Sequence, residues 1–147
     1  MAIYFRVVGG KGIISAIIKH TTRSIFSHAE FIDTDAGTAL GAYSYGVGIE
    51  PIDYESFDVE RRFTAANINQ AYAWAKTQLD KKYDYEAIFG IFLDRDWRDA
   101  SHWFCSELVA AAFEAAQSPI LNPNAQAWRI TPRDLLLSTA IVPVSSS

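Results

Sequence analysis

The stretch Trp103-Phe104-Cys105-Ser106-Glu107-Leu108-Val109-Ala110-Ala111-Ala112-Phe113 decides how the chain is read. It holds the only cysteine among 147 residues, so no internal disulfide can form. From Leu108 onward the segment reads as a helix, which places Cys105 near a helix start. Amide N–H groups at such a start stabilise an anion, and in other proteins this lowers a thiol pKa from about 8.5 to roughly 3.5–7.5. On a helical wheel Cys105, Leu108, Val109, Ala112, Phe113 and Ala116 share one stripe, while Glu107 lies nearly opposite and is expected to meet solvent. Free cysteine is among the most buried residue types, so composition alone favours a small buried thiol over a nucleophile. The helix start is open between two readings. Ser101 is a good N-cap that would put Cys105 a full turn inside, whereas an oxyanion hole needs the helix to begin nearer Cys105.

Working outward, the chain suits one domain over 1–147 with a real core, since half its residues are hydrophobic and 14% aromatic. A formal charge of −4 with scattered Lys and Arg argues against nucleic acid as a partner. No apolar run approaches the roughly 18 to 20 residues of a membrane span. The start Met1-Ala2-Ile3-Tyr4-Phe5-Arg6-Val7-Val8 lacks the n- and h-regions of a secretory signal. A reducing cytoplasm is therefore the expected location, and a viral gene product made there fits equally.

The pattern predicts strands over Ala2–Val8, Ser27–Ile32 and Thr38–Tyr43, further extended pieces over Ile49–Ile52 and Asp58–Thr64, and turns at Asp33–Gly37 and Tyr45–Gly48. Helices are predicted over Gly12–Thr22 with an Ile13, Ile14, Ile17, Ile18 stripe, over Ala65–Leu79, and over Tyr85–Leu93. The cysteine helix is expected to run to about Gln117, stopped by Ser118-Pro119, and Thr131-Pro132 opens a last short helix through Leu137. Strands first and mostly helices after describe an α+β domain.

A nucleophilic cysteine needs a base within hydrogen-bond reach. His28, in Ser27-His28-Ala29-Glu30-Phe31-Ile32, stands on a strand, and alternation puts Glu30 on its face. His102, at the helix mouth, is the second candidate, and His20 reads as a surface or capping residue. A zinc site from His20, His28, His102 and Cys105 is not expected, because paired ligand motifs are absent. Asp94, Asp96 and Asp99 lack the spacing and glycine of a calcium loop. No cofactor is expected.

Ser27-His28-Ala29-Glu30 and, downstream, Trp103 to Val109 resemble the circularly permuted branch of the NlpC-type, papain-like thiol hydrolases. This is the YiiX-like group, with lecithin retinol acyltransferase as a more distant relative. Gly12-Ile13-Ile14-Ser15 to Thr22, Lys82-Tyr83-Asp84-Tyr85 and Ile130-Thr131-Pro132-Arg133-Asp134-Leu135 resemble further elements of that branch, so the likeness spans nearly the whole chain. It implies a small antiparallel sheet or partial barrel packed against helices, with the nucleophile helix on the sheet. It also implies Cys105 as nucleophile, His28 as general base, and the N–H groups of Cys105 and Ser106 as oxyanion donors, with Tyr83 lining the pocket or donating to the oxyanion. The family's third polar residue stands on the strand after the histidine, and here that region is Ala39-Leu40-Gly41-Ala42. Glu30 is expected to orient the imidazole instead, with Tyr43, Ser44 or a backbone carbonyl as substitutes.

The activity so implied is cleavage of an amide bond through an acyl-cysteine, with a peptidoglycan peptide or related small amide as substrate. The motif variant is most like those of bacteriophages and prophages, which implies virion association and an assembly partner there. Two other readings stay open: acyl hydrolysis or transfer on a lipid, for which Ile13, Ile14, Ile17 and Ile18 with Lys11 and Lys19 are a mild candidate surface, and a non-catalytic binding or structural module on the same fold.

Overall fold

The computed structural model describes residues 3–83, 102–122 and 130–145. Six strands form one antiparallel sheet: β1 Ile3–Gly9, β2 His28–Asp33, β3 Thr38–Tyr43, β4 Gly46–Pro51, β5 Val59–Ala65 and β8 Ile141–Val144, in the order β4-β3-β2-β1-β5-β8. A short parallel pair joins β6 Lys82–Tyr83 to β7 His102–Trp103. Among the described residues the helices are α1 Ile13–Thr22, α2 Ile68–Lys76, α3 Cys105–Ala115 and α4 Pro132–Leu135, which with the sheet make an α+β domain.

Alternation along the strands sorts the sheet into two faces. Phe5 and Val7 of β1, Ala29 and Phe31 of β2, and Leu40 and Ala42 of β3 join the apolar cluster with Leu108, Val109 and Phe113 of α3. Arg6, His28, Glu30, Gly41 and Tyr43 lie on the other face. Its cover comes from the segment 52–58, where Tyr54 bonds to Glu30 and the Phe57 ring lies 4.9 Å from the Arg6 guanidinium carbon.

The cysteine helix lies at the centre, against α2, β2, β3 and α4. Its small residues Ala110 and Ala112 let these neighbours approach closely, and every residue from Cys105 to Ala110 is buried. This corrects the expectation for Glu107, which is only 4% exposed. The wheel foresaw one covered face, but an interior helix is covered on several. Phe113 meets Phe5 and Phe31 at ring distances of 5.8 and 5.9 Å. Phe113→Ala is expected to lower unfolding stability by about 3–5 kcal/mol, read from the urea midpoint; a loss under about 1 kcal/mol would mean that this contact is not central.

Several elements differ from the pattern; the cysteine helix ends at Ala115 and the last helix at Leu135, each two residues short of its expected end. The turn before β4 is Ser44-Tyr45 alone, because Gly46 adopts φ 126° and already pairs with Tyr43. The helix after β5 spans Ile68–Lys76 rather than Ala65–Leu79: Ala65 still pairs with Ile141, and Asn67 turns the chain at φ 60°. β8 was not foreseen, since Ile141-Val142-Pro143-Val144 is short and contains a proline, which an edge strand tolerates. Within the α1 stripe Ile18 is buried but Ile17 is 38% exposed. Thr131 and Asp134 form a capping box that starts α4. The expected helix over Tyr85–Leu93, the charged loop Asp94–Asp99, Ser101 and the Pro123-Asn124 loop lie outside the described residues.

Candidate active site

The helix begins at Cys105 itself. Phe104 is the N-cap, with extended backbone at φ −88° and ψ 149°, and the first intrahelical bond runs from the Leu108 N–H to the Phe104 carbonyl at 3.0 Å. The N–H groups of Cys105, Ser106 and Glu107 therefore have no intrahelical acceptor. The thiol stands on the first helical residue, where the backbone positive charge is greatest.

The elements bring Cys105, His28 and Glu30 together. His28 opens β2, and its imidazole stands close enough to Cys105 for the two to be coupled electrostatically. Its Nε2 lies 2.9 Å from Glu30 Oε1. The Tyr43 ring stacks on the imidazole at 5.4 Å and 29°, fixing its plane. Burial pushes the His28 proton off, but the charge and hydrogen bond of Cys105, followed by those of Glu30, outweigh it and raise the pKa to about 10. Cys105 is 1% exposed and His28 17%.

Glu30 is wholly buried and fully engaged. Its Oε1 accepts hydrogen bonds from the Tyr43 and Tyr54 hydroxyls, each at 2.9 Å, besides facing His28. Its Oε2 accepts Arg6 Nε at 2.8 Å and lies 2.7 Å from Arg6 Nη2. Arg6 stands directly opposite Glu30 in the β1–β2 ladder. Desolvation favours the neutral acid, but the hydrogen bond and charge of His28, then those of Arg6, hold the carboxyl down at about 2. A carboxylate with a lowered folded value stabilises the fold above its ordinary value of 4.5 and loses that contribution as pH falls toward 2. Acid titration is therefore expected to remove about 3 kcal/mol of unfolding stability between about pH 5 and 2, and Glu30→Gln to flatten that slope. Equal slopes in urea denaturation of both proteins would refute the assignment. The same carboxylate pushes the Tyr43 and Tyr54 hydroxyls, already desolvated, to well above the usual phenol range.

Gly41 makes the arrangement possible. A Cβ there would lie 3.0 Å from Glu30 Cβ and 3.5 Å from His28 Nε2. The strand after the histidine thus supplies space, and the carboxylate enters from the histidine's own strand.

Ser106 has a different job from its side chain: its hydroxyl donates to the Ile130 carbonyl at 2.5 Å, tying the helix start to the segment before α4. Tyr83 belongs to the apolar cluster and also lines a recess of about 190 Å³, together with His28, Tyr43, Ser44, Tyr54 and Ser27. His20 is exposed on α1, and His102 lies on β7, paired with Lys82. Among the described residues no three His, Cys, Asp or Glu side chains are grouped to hold a metal ion. Arg6, Tyr54 and Glu60 were not singled out from sequence. The available signal was Arg6, a lone cation inside the apolar run Ile3 to Val8.

No family model and no curated protein matches the sequence. Among solved structures, the chain is similar to the metalloprotein yiiX from Escherichia coli O157:H7, DUF1105, with a TM-score of 0.74 over 98% of this chain and 96% of that one, at 13% identity. At that identity the likeness is one of fold: an antiparallel six-stranded sheet with few helices. Among the described residues no helix is long and apolar enough to cross a membrane.

Proposed function

We propose that this protein is a cysteine hydrolase of the permuted papain-like type, cleaving an amide bond through an acyl-cysteine. The observation that carries this reading is Cys105 on the first residue of a helix, coupled to a His28 imidazole whose Nε2 lies 2.9 Å from Glu30 Oε1.

In the proposed reaction the Cys105 thiolate attacks the scissile carbonyl carbon, forming the S–C bond and an alkoxide. The free N–H groups of Cys105 and Ser106 stabilise that oxyanion. Collapse breaks the C–N bond, and the imidazolium of His28 gives its proton to the leaving amine. Water then attacks the thioester while His28 takes its proton. Collapse of the second tetrahedral intermediate breaks the S–C bond, the carboxylic acid leaves, and the thiolate–imidazolium pair is restored. Glu30 keeps Nε2 protonated and the ring aimed at the sulfur throughout. The recess beside His28, lined by Ser27, Tyr43, Ser44 and Tyr54 among others, has the room for a small amide group. A wall peptide is the substrate that the sequence resemblance favours.

The test is the pH dependence of Cys105 alkylation in the wild type and in His28→Ala, developed in the Discussion. Turnover of a peptidoglycan stem peptide, followed by release of a free amine, then tests the substrate class. Wild-type protein that alkylates like a free thiol overturns the reading.

A further inference from the structure

The line of charge does not end at Glu30. Arg6 is 3% exposed, and each of its three nitrogens has a partner inside the protein. Nε and Nη2 reach Glu30 Oε2, Nη2 also donates to the Ile52 carbonyl at 2.8 Å, and Nη1 donates to Glu60 Oε2 at 2.6 Å. Glu60 is 26% exposed and also faces Arg62 Nη2 at 3.4 Å. The groups facing this line come from every neighbouring element: Tyr43 from β3, Tyr54 and Glu55 from the covering segment, Glu60 and Arg62 from β5, and Cys105 from α3.

We infer that Arg6 is a positioning residue of the site, supplying the buried positive charge that lets thiolate, imidazolium and carboxylate coexist. The inference rests on the catalytic reading above. A thiolate, an imidazolium and a carboxylate together carry one negative charge. Burying that net charge is costly, and the cheapest escape is uptake of a proton by the sulfur or the carboxylate. Arg6 brings the buried set to zero. Glu60, nearer solvent, balances part of Arg6 and so weakens its effect on the site. The two therefore act with opposite signs.

The measurement is the pH at which iodoacetamide alkylation of Cys105 reaches half its plateau. Arg6→Met is expected to raise it by about one pH unit or more, because the positive charge paired with Glu30 is removed and the buried set is left net negative. Arg6→Lys keeps the charge and is expected to stay within about 0.3 unit of wild type. Glu60→Gln is expected to lower it by a few tenths. A merely structural role would loosen the site in both charge variants and move both midpoints upward. Same-sign shifts, or no shift in Arg6→Met, overturn the inference. Where Arg6→Met does not fold, Glu60→Gln decides: an unmoved or raised midpoint overturns it, and a lowered one with Arg6→Lys near wild type supports it. An unchanged profile in His28→Ala sinks the catalytic reading itself. A changed one beside inert Arg6 and Glu60 variants sinks only the role of Arg6.

Discussion

In His28→Ala the alkylation rate of Cys105 is expected to fall about a thousandfold between pH 8.5 and 5, while in the wild type it changes by less than about tenfold. A free thiol with its ordinary value near 8.5 is half ionised at pH 8.5 and only about 0.03% ionised at pH 5. His28 holds its proton up to about 10 because Cys105 and Glu30 outweigh its burial, so across this range the ring carries a positive charge, and a nearby opposite charge favours the ionised form of a nucleophile. Taking the ratio of two rates within one variant cancels the burial of the sulfur and its intrinsic nucleophilicity, which also changes with ionisation. Amide turnover is expected to drop by at least about 10³-fold in the same variant, since one ring both activates the nucleophile and protonates the leaving amine. A wild-type ratio as small as that of His28→Ala would mean an ordinary buried thiol.

Glu30→Ala is expected to destabilise the protein by about 3–5 kcal/mol, the scale of breaking a buried ion pair by removing one partner. Arg6 would keep its charge in the interior with only the partly exposed Glu60 opposite, and the Tyr43 and Tyr54 hydroxyls would lose their common acceptor. Glu30→Gln is milder for the fold, because an amide oxygen still accepts from the tyrosines. It still removes the negative charge behind His28, and turnover is expected to fall on the order of 100-fold. Guanidinium denaturation separates the two effects. A Glu30→Ala protein that unfolds at the wild-type midpoint would show that the carboxylate anchors nothing.

Much of the site was legible as local pattern. Alternation alone placed His28 and Glu30 on one face, because successive strand side chains point to opposite sides whatever the sheet does. The same logic found the apolar stripe of the cysteine helix and the Thr131-Pro132 start of α4, where Thr131 and Asp134 have capping-box spacing. The lone cysteine near a helix start was visible too, though not the start itself. A start capped by Ser101 and one nearer Cys105 were both compatible with the pattern, and the extended backbone at Phe104 settles it.

What stayed hidden depends on partners distant in the chain. Glu107 looks solvent-facing on a wheel, and it is buried because the helix is interior. Gly41 looks like a missing polar residue, and it is the space that Glu30 fills. Arg6 looks like an anomaly in an apolar strand until β1 and β2 come into register and set it opposite Glu30. The sequence by itself determined which residues share a strand face or a helix stripe, since periodicity is a property of the backbone. Only the tertiary structure decided which of them meet, because strand register and helix burial are set by packing between segments far apart in the chain.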